Sequence, residues 1–450
     1  MAYGIKNNAF SYLLLMYANQ VLGIPGYLAS LALAVAMVWD AVSDLLLGHW
    51  SDKTSSRYGR RHPFMYVALF LLPLTFYALF NPVVSLEETS SFVYVLVMAL
   101  LIRTGTTLFE VPSTALLPDL EQDYDRRNKW LALRHGFGWY GGNGIHTINF
   151  FFWVGAFGVT VQTGYSIYGV VGATVIFFTI LASALGTQKA AAALPRPEDT
   201  FKVREIALEV QQIFQSLKNR NFAALFFYGL IVGVAQGLGM ALYLYNTTYF
   251  FGFTGTMIAV TGIFVLLSPL IAYFIAPNVG SRFGKKKAAM IAILGNITLY
   301  PMPYILLLNG WWPEFGSWTS LILYSFFIVA EVVFVIIFGV LLDSMMADVV
   351  EDSEVSTYRR SEGLFFAARS FAQKAISAGG IIGAGAIVSL VGLDGVRSVE
   401  QVTYEIRFDL ASLFLPLYCS LYLLGIYVIS KYRIDREGHG NNLNKLATRA

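Results

Sequence analysis

A short basic turn occurs twice in this chain, each time between two long apolar runs. The first turn spans residues 57–61 (RYGRR) and the second spans residues 282–286 (RFGKK). They lie 225 positions apart (282 − 57 = 225), which is half of the 450 residues. A soluble fold gives no reason for a charged turn at two matching places between apolar runs. A membrane protein made of two similar helical halves would carry the turn once in each half, so the repeat predicts a protein of this kind.

Composition supports a lipid environment for this chain. Hydrophobic residues make up 56% of it and charged residues 13%, against about 25% charged residues in ordinary soluble domains. The apolar runs are continuous and about 20 residues long, which is the length of a membrane-spanning helix and longer than a barrel strand. The chain is therefore expected to be an all-α membrane protein with the lipid bilayer as its partner.

Twelve transmembrane helices are predicted, in two six-helix halves related by pseudo-two-fold symmetry. The predicted spans lie near residues 9–27, 30–50, 63–83, 91–114, 131–156, 164–187, 221–249, 255–278, 287–308, 318–345, 363–391 and 406–430. The longest polar connection, at 188–220, contains Pro195 and Pro197. These features predict an N-terminal half at 1–187, a cytoplasmic linker at 188–220, a C-terminal half at 221–431 and a cytoplasmic tail at 432–450.

Lysine and arginine residues are concentrated in alternate connections. The connections after spans three, five, seven and nine carry no Lys or Arg, whereas the connections on the opposite side carry both basic turns. Because short loops rich in Lys and Arg stay in the cytoplasm, both termini are expected there. No cleavable signal peptide is expected, since the N-terminus runs directly into the first span. The expected location is the plasma membrane, which in a bacterium is the inner membrane.

Several functional classes lack their sequence signatures here. The net charge of +3 gives no reason to expect a nucleic-acid partner. The single cysteine, Cys419, excludes an intramolecular disulfide and a thiolate metal cluster. The sequence holds no GxGxxG, Walker, metal-spaced His/Cys or nucleophile-elbow motif. The chain is therefore expected to be neither an enzyme nor an ATP-driven pump, and to need no cofactor.

Ionisable residues within the predicted spans are the candidates for function. A charged group in hydrocarbon costs about 3 kcal/mol or more and needs a partner or a water-filled cavity. In span two, Asp40, Ser43 and Asp44 lie at positions i, i+3 and i+4 and share one helical face. Two ionised carboxylates one turn apart repel each other, and a bound cation or proton relieves the repulsion. This face is either a cation site or an ion-pair cluster that orders the fold.

Span four carries a second polar face. Arg103, Thr107 and Glu110 lie at positions i, i+4 and i+7. Glu110 is either part of a binding site or a member of a structural ion pair, and Arg103 is expected to neutralise Glu110 or the acids of span two. Another cation, Arg134, stands at the start of span five.

The second half carries its own buried charges. Lys374 lies about eleven residues into span eleven, with Ser370 one turn before it. This lysine either reaches an acid of the first half or extends to the membrane interface. In span ten, Asp343 is expected to anchor the cytoplasmic end of the helix, whereas the sequence around Glu331 indicates no role for that residue.

Several motifs of the sequence resemble those of a known family. Residues 48–53 (GHWSDK), followed by the first basic turn, resemble the loop signature of the major facilitator superfamily. Residues 39–44 (WDAVSD), 344–348 (SMMAD) and 360–363 (RSEG) are similar to the glycoside–pentoside–hexuronide:cation symporters, the family of the melibiose carriers. The resemblance covers nearly the whole chain. It implies a secondary active transporter, a monomer, which couples Na⁺ or H⁺ to symport of a sugar or glycoside-like solute by alternating access.

The same resemblance implies roles for individual residues. The cation-binding residues are expected to be Asp40, Ser43, Asp44 and Thr107. The substrate-binding residues are expected to be Glu110, Arg134, Lys374, Ser370, Asn7 and Thr114. A latch at the cytoplasmic helix ends is expected to consist of Asp52, Arg57, Arg60, Arg61, Arg282 and Lys285. No metal is implied beyond a transported Na⁺.

Some positions depart from the melibiose carriers. Asn7 stands where those carriers have a second sugar-binding acid, and Thr114 and Gly339 stand where they have tryptophans that stack on the sugar. The loss of an acid and two aromatic rings removes hydrogen bonds and apolar contact that a pyranose needs. Two alternatives therefore stay open. One is a cation-coupled carrier of a lipid, a lysolipid or another amphipathic solute, and the other is a membrane sensor or scaffold that does not transport.

Overall fold

The structure is a computed structural model that describes residues 1–82, 88–121, 123–194, 211, 215–357, 362–396, 398–435 and 437–441. Within these ranges the chain consists of helices joined by turns and short connections, with no strand. Nine helices in the described ranges are long and apolar enough to cross a membrane. The chain is therefore an all-α, integral multi-pass membrane protein, as predicted, and the total of twelve spans stays a prediction.

Among the described residues, six helical runs make up the first part of the chain. The first, α1, alternates α- and π-helical segments through Ala2–Asn8, Ala9–Leu13, Leu14–Met16 and Tyr17–Val21. The others are α2 (Gly26–Asp52), α3 (His62–Phe80), α4 (Glu88–Leu120), α5 (Tyr124–Phe152) and α6 (Gln162–Ala192). A single helical turn, Val154–Phe157, separates α5 from α6. Each run overlaps a predicted span.

Six further runs follow in the part of the chain that the structure describes after residue 215. They are α7 (Arg220–Tyr245, continued by the π-helical Asn246–Phe250), α8 (Gly255–Val265 and Ser268–Phe283), α9 (Lys285–Leu299 and Met302–Leu308), α10 (Trp318–Thr357), α11 (Glu362–Leu390) and α12 (Tyr404–Ile429). The last helical turns of α10 extend beyond the predicted span, which ends near residue 345. Their polar residues continue the helix past the apolar segment, where hydropathy gives no signal.

The first helix begins earlier than its apolar pattern predicts. The predicted span starts near residue 9, because Lys6, Asn7 and Asn8 interrupt the apolar run, yet α1 begins at Ala2. Lys6 is only 1% exposed, and its ammonium group lies 4.9 Å from the centre of an aromatic ring one turn away. Because α1 packs on α5, this polar segment is enclosed by tertiary contacts that hydropathy does not report.

The ends of α1 and α7 share one backbone design. Each run ends in a π-helical segment and is followed by a glycine in the left-handed region, Gly23 at φ 74° and Gly252 at φ 72°. These glycines lie 229 positions apart (252 − 23 = 229), close to the spacing of the basic turns. The next hydrogen bonds also correspond, from Ile24 N to Ala18 O (3.0 Å) and from Phe253 N to Thr247 O (2.9 Å). Two repeats of one helical unit would produce such matching ends.

The chain separates into two compact units. The first consists of Met1–Ile206, Met240–Gly262 and Ile381–Arg407, and the second of Ala207–Gly239, Ile263–Gly380 and Phe408–Ala450. The units divide α7, α8, α11 and α12 between them, whereas the predicted boundary lies in the linker at 188–220. The predicted halves therefore stay a prediction, and residues 195–210 and 212–214 of the linker lie outside the described residues.

Helix packing inside the first unit positions the candidate site. Here α2 packs on α4, and α3 packs on both α4 and α6. A Cβ added at Gly105 of α4 would lie 3.0 Å from Leu72 of α3, so this crossing is tight. Leu47 of α2, Phe64 of α3 and Leu108 of α4 form part of one buried apolar cluster. The cluster holds the polar face of α2 against the polar face of α4.

Candidate functional site

The polar faces of α2 and α4 meet in the interior of the first unit. Asp40, Ser43 and Thr107 are each at most 2% exposed. The Ser43 hydroxyl oxygen lies 3.1 Å from Thr107 Oγ1 and 3.1 Å from the Asp40 carbonyl oxygen. The structure therefore brings together three of the four predicted cation-binding residues. The fourth, Asp44, is half-buried one helical turn after Asp40.

A buried arginine balances the charge of this site. Arg103 Nη1 lies 3.3 Å from Asp40 Oδ2, and both side chains are at most 4% exposed. The guanidinium group also lies over the ring of Phe10 in α1, at 4.3 Å from its centre. The expectation that Arg103 neutralises an acid of span two is confirmed, with Asp40 as the partner. An unpaired charge at this depth would be strongly destabilising, and the ion pair makes a buried Asp40 tolerable.

A second polar group joins α4 to α5. Arg134 donates to Thr114 Oγ1 and lies 3.4 Å from Ser113 Oγ. The Thr114 hydroxyl donates to the Glu110 carbonyl oxygen at 2.7 Å. The Glu110 carboxylate also lies close enough to Arg134 for electrostatic attraction. Three of the predicted substrate-binding residues, Glu110, Thr114 and Arg134, therefore form one group that offers both charges and a hydroxyl.

The other predicted substrate-binding residues lie apart from this group. Asn7 is half-buried on α1, next to Asn8, whose side-chain amide donates to Asn143 Oδ1 at 3.2 Å. Lys374 is half-buried on α11, in the second unit. Its carbonyl oxygen accepts a hydrogen bond from a serine one turn later at 2.8 Å. The side chain of Ser370 lies outside the described residues.

The first basic turn is held by two acids. Arg61 is 5% exposed and lies 2.9 Å from Asp52 and 2.8 Å from Asp119. Arg60 lies 2.7 Å from Asp119. The contact between Arg61 and Asp52 joins two predicted latch residues. Asp119, at the end of α4, is a third member that the sequence does not indicate, because it is a loop-proximal acid with no motif around it.

The second basic turn has an equivalent pair. Lys285 Nζ lies 2.6 Å from Asp348 Oδ1, and the Tyr432 hydroxyl donates to Asp348 Oδ2 at 3.3 Å. Burial raises the pKa of Tyr432, so its hydroxyl stays a neutral donor. His439 Nδ1 lies 3.3 Å from Asp348 and 3.0 Å from Glu351. Because Lys285 already places a positive charge against Asp348, this group is an ion-pair cluster.

Two predicted latch residues pack on aromatic rings. The guanidinium group of Arg57 lies 4.6 Å from the centre of the Tyr58 ring, and that of Arg282 lies 5.5 Å from the centre of the Phe283 ring. Contacts of this kind at exposed positions contribute about 0.5–1 kcal/mol. These arginines are therefore more weakly held than Arg61 and Lys285.

A polar cluster at the ends of α1 and α7 is absent from the sequence-based expectations. Asn19 Nδ2 donates to Asp394 Oδ1 at 2.8 Å, and the Tyr245 hydroxyl donates to Asn19 Oδ1 at 2.9 Å. The Tyr249 hydroxyl donates to Gln20 Oε1 at 3.1 Å. Asn19 and Gln20 are at most 2% exposed. In the sequence, only two adjacent amides near the end of an apolar span point to this cluster, because their partners lie more than 200 positions away.

Comparison with known proteins shows the family of this chain and several of its relatives. The model of the family described as MFS/sugar transport protein, where MFS is the major facilitator superfamily, matches residues 1–436. The uncharacterized symporter sll1374 of Synechocystis sp. is 32% identical over 143 residues, covering 30% of this chain and 25% of that protein. The sodium-dependent lysophosphatidylcholine symporter 1 of Xenopus tropicalis is 29% identical over 135 residues, covering 29% of this chain and 25% of that protein. The matched region is thus about a quarter of each relative.

Solved structures share the fold at low sequence identity. A bacterial homologue of the human lysosomal transporter Spinster, inward-facing and unoccupied, has a TM-score of 0.65 and 12% identity over 97% of each chain. The inward-open xylose transporter XylE from E. coli has a TM-score of 0.58 and 13% identity, covering 97% of this chain and 94% of that one. The fold is that of the major facilitator transporters. Because the family model spans nearly the whole chain, the protein belongs to the MFS/sugar transport protein family, whose members are transporters and not enzymes.

Proposed function

We propose that the protein is a cation-coupled symporter of the glycoside–pentoside–hexuronide type, which carries a sugar or glycoside-like solute by alternating access. The observation that carries this proposal is the set of buried oxygens from Asp40, Ser43 and Thr107 where α2 meets α4. Carboxylate and hydroxyl oxygens are ligands that a hard cation prefers. A buried ion pair by itself is weak evidence for a stabilising role. Ion exchange at this site would explain why these polar groups are buried.

The coupling ion in this proposal is Na⁺ or H⁺. In the structure Arg103 supplies the positive charge at Asp40, 3.3 Å away. An entering ion takes over that charge and releases the guanidinium group. The same ion relieves the repulsion between Asp40 and Asp44, which lie one turn apart. Ion binding on α2 and α4 then changes the charge balance around Glu110, and a reciprocal coupling of about 1–3 kcal/mol between ion and substrate is expected.

Substrate contacts are proposed for the group that joins α4 to α5. The Glu110 carboxylate accepts hydrogen bonds from sugar hydroxyls, and the Arg134 guanidinium donates them, so the two charges together fix the orientation of a polar ring. Thr114 already links the two residues by hydrogen bonds. Asn7 and, on α11, Ser370 and Lys374 are proposed as further contacts.

A lysolipid or similar amphipathic solute is the second candidate. Relatives from Xenopus tropicalis and Gallus gallus are named sodium-dependent lysophosphatidylcholine symporters. The adjacent opposite charges of Glu110 and Arg134 suit a zwitterionic headgroup, since an arginine binds phosphate well and a carboxylate attracts a cation. Asn7 and Thr114 also stand in place of an acid and an aromatic ring that would bind a pyranose.

Alternating access requires closure on each side of the membrane in turn. We propose that the termini lie in the cytoplasm and that the inner membrane of a bacterium is the location. In this arrangement the pairs Arg61–Asp52 and Lys285–Asp348 latch the cytoplasmic helix ends. The contact between Asn19 and Asp394 closes the opposite side. The two predicted halves, 1–187 and 221–431, rock about the substrate, and the protein acts as a monomer.

Uptake into proteoliposomes tests the proposal. A panel of sugars, glycosides and lysophospholipids is offered with and without an inward Na⁺ or H⁺ gradient. We expect one class to accumulate and to require one of the gradients. Asp44→Asn should abolish the stimulation by the gradient and leave membrane insertion normal, whereas Asp409→Asn, an exposed acid on α12, should behave as wild type.

Three outcomes separate the candidates. Accumulation of a lysophospholipid but of no sugar would replace the first candidate by the second. Unchanged stimulation in Asp44→Asn would remove the ion site from α2. No accumulation of any class under either gradient, by protein that is correctly inserted, would contradict symport and favour a sensor or scaffold.

A further inference from the structure

A buried acid with no role in the proposed cycle lies in the second unit. Glu331 is in α10, within an apolar run that includes residues 328–330 (IVA) and 332–338 (VVFVIIF). It is 8% exposed, and α10 is one of the helices apolar and long enough to cross a membrane. The Asp40 site belongs to the first unit, so Glu331 is not a member of it.

The contacts of Glu331 are made by neutral groups. Asn296 of α9 donates from Nδ2 to Glu331 Oε1 at 2.6 Å, and Asn296 is 2% exposed. The other side of the same amide is occupied as well, because the Tyr418 hydroxyl of α12 donates to Asn296 Oδ1 at 3.2 Å. The amide is thereby fixed in the orientation that presents its NH₂ group to Glu331. Helices α9, α10 and α12 meet through this chain of hydrogen bonds.

Within the described ranges, Glu331 makes no ion pair with a lysine, an arginine or a histidine. The titratable groups that interact with it are tyrosines, Tyr304 of α9 and Tyr418 and Tyr422 of α12. These three are at most 4% exposed. A tyrosine hydroxyl is uncharged at neutral pH and supplies no positive charge. The surroundings therefore differ from those of Asp40, which has Arg103 within 3.3 Å.

A carboxylate in these surroundings would be costly. A charged group inside the membrane needs a counter-charge or water, and a buried ion is tolerated only when further hydrogen bonds satisfy its remaining lone pairs. Glu331 has one strong donor, Asn296, on one of its two oxygens. A neutral carboxylic acid carries no charge, its carbonyl oxygen can accept that hydrogen bond, and its single O–H donor needs one acceptor and no counter-charge.

We propose that Glu331 is a proton-binding site, separate from the Asp40 site, which holds H⁺ at neutral pH and releases it to water at alkaline pH. A cavity of about 10 Å³ adjoins Asn296 and is lined also by Gln236 and Tyr422. That volume holds about one water molecule, which would lie beside Asn296, the hydrogen-bond partner of Glu331. The proposal goes beyond symport, because the proton site exists whether or not the protein carries a solute.

Infrared spectroscopy of the purified full-length protein at neutral pH tests the proposal without any transport assay. The wild-type minus Glu331→Gln difference spectrum is expected to contain the C=O stretching band of a carboxylic acid. The matched control is Glu314→Gln, which removes an exposed glutamate from the connection between α9 and α10, and its difference spectrum should lack the band. Absence of the band from the Glu331→Gln difference spectrum would overturn the proposal.

Thermal unfolding against pH gives a second readout. A folded state that holds a proton more tightly than the unfolded chain loses stability as the pH rises. The unfolding temperature of the wild type should therefore fall more steeply from neutral to alkaline pH than that of Glu331→Gln. Identical pH dependence in the two proteins would contradict the proposal.

Asn296→Ala keeps the test independent of whether Glu331→Gln folds. This variant retains Glu331 and removes the donor 2.6 Å from its carbonyl oxygen. The carboxylic acid band should persist and move to higher frequency, because the C=O bond loses its hydrogen bond. A band that stays at the wild-type frequency would not belong to Glu331 and would count against the site.

Discussion

At the scale of single residues, the behaviour of each buried acid depends on the group that its carboxyl oxygen meets. Asp40 meets the guanidinium group of Arg103 and is balanced by a fixed positive charge. Glu331 meets the amide of Asn296, which donates a hydrogen bond but carries no charge. In our proposals, Asp40 therefore exchanges one cation for another, and Glu331 holds a proton. The difference follows from the partner and not from depth, since both residues are buried.

Arg103→Gln tests the competition at Asp40. The variant removes the positive partner, and truncating one member of a buried ion pair costs about 3–5 kcal/mol of unfolding free energy. In Na⁺-free buffer we expect a loss of that size. Added Na⁺ should restore more stability than in the wild type, because Arg103 no longer competes for Asp40 and an ion that binds more tightly stabilises the folded state more. Thermal unfolding in NaCl against choline chloride measures both effects.

The control for this prediction is Arg57→Gln. Arg57 is exposed and packs on Tyr58, so its loss should change stability by no more than about 1 kcal/mol. If Na⁺ stabilises the wild type and Arg103→Gln to the same extent, the ion does not replace Arg103 at Asp40.

At the scale of helices, close packing in the first unit depends on glycines that face each other. A Cβ added at Gly255, the first residue of α8, would lie 2.0 Å from the Cα of Gly155, in the turn between α5 and α6. No flexible side chain can yield at this contact, because the neighbouring atom is backbone. The contact lies next to the π-helical end of α7. The geometry of that helix end therefore affects how closely the helices of the unit pack.

Gly255→Ala should therefore destabilise the protein. Overpacking of a tight contact costs about 1–3 kcal/mol, and a backbone neighbour puts this site at the upper end of that range. Gly186→Ala in α6 is the matched control, since nothing lies within 4 Å of its added Cβ. That change should gain about 0.5–1 kcal/mol, because alanine suits a helix interior better than glycine does. Equal unfolding temperatures for the two variants would contradict this packing account.

At the scale of the whole molecule, the proposed cycle depends on groups of contacts that form and break together. The cluster of Asn19, Gln20 and Asp394 is one such group, and it joins the end of α1 to the connection between α11 and α12. Asp394 Oδ1 also accepts a hydrogen bond from the Gly26 backbone N–H at 2.9 Å, at the start of α2. One carboxylate thus holds two helix ends, so its removal should favour opening of that side.

Asp394→Ala should raise the accessibility of buried positions beside the cluster. Asn246, which is 1% exposed, is replaced by cysteine in a Cys419→Ser background and labelled with a membrane-impermeant maleimide. Loss of two charge-assisted hydrogen bonds of about 1.5 kcal/mol each predicts labelling about a hundredfold faster. Glu400→Ala, an exposed acid in the same connection, is the control. Equal labelling of all three proteins would show that Asp394 does not hold this side closed.

Much of the fold and part of the site could be predicted from local sequence patterns. Apolar runs of helix length predicted where the helices form, and the 3.6-residue period placed Asp40 with Ser43 and Arg103 with Thr107 on common faces. The prediction was wrong at the start of α1, where Lys6 and the asparagines after it lie inside the helix. Hydropathy reports the average preference of a segment for lipid, so it does not detect polar residues that tertiary packing encloses.

Which side chains meet depends on how the helices pack in the tertiary structure. Asp40 and Arg103 are 63 positions apart, and Asn19 and Asp394 are 375 positions apart. Hydropathy is a property of each segment, so an all-helical membrane protein, and the helices that carry its charges, could be predicted from sequence alone. The partner of a buried charge depends instead on which helices pack together and at what register. That is why the pairing of Asp40 with Arg103, and of Glu331 with Asn296, became visible only in the folded molecule.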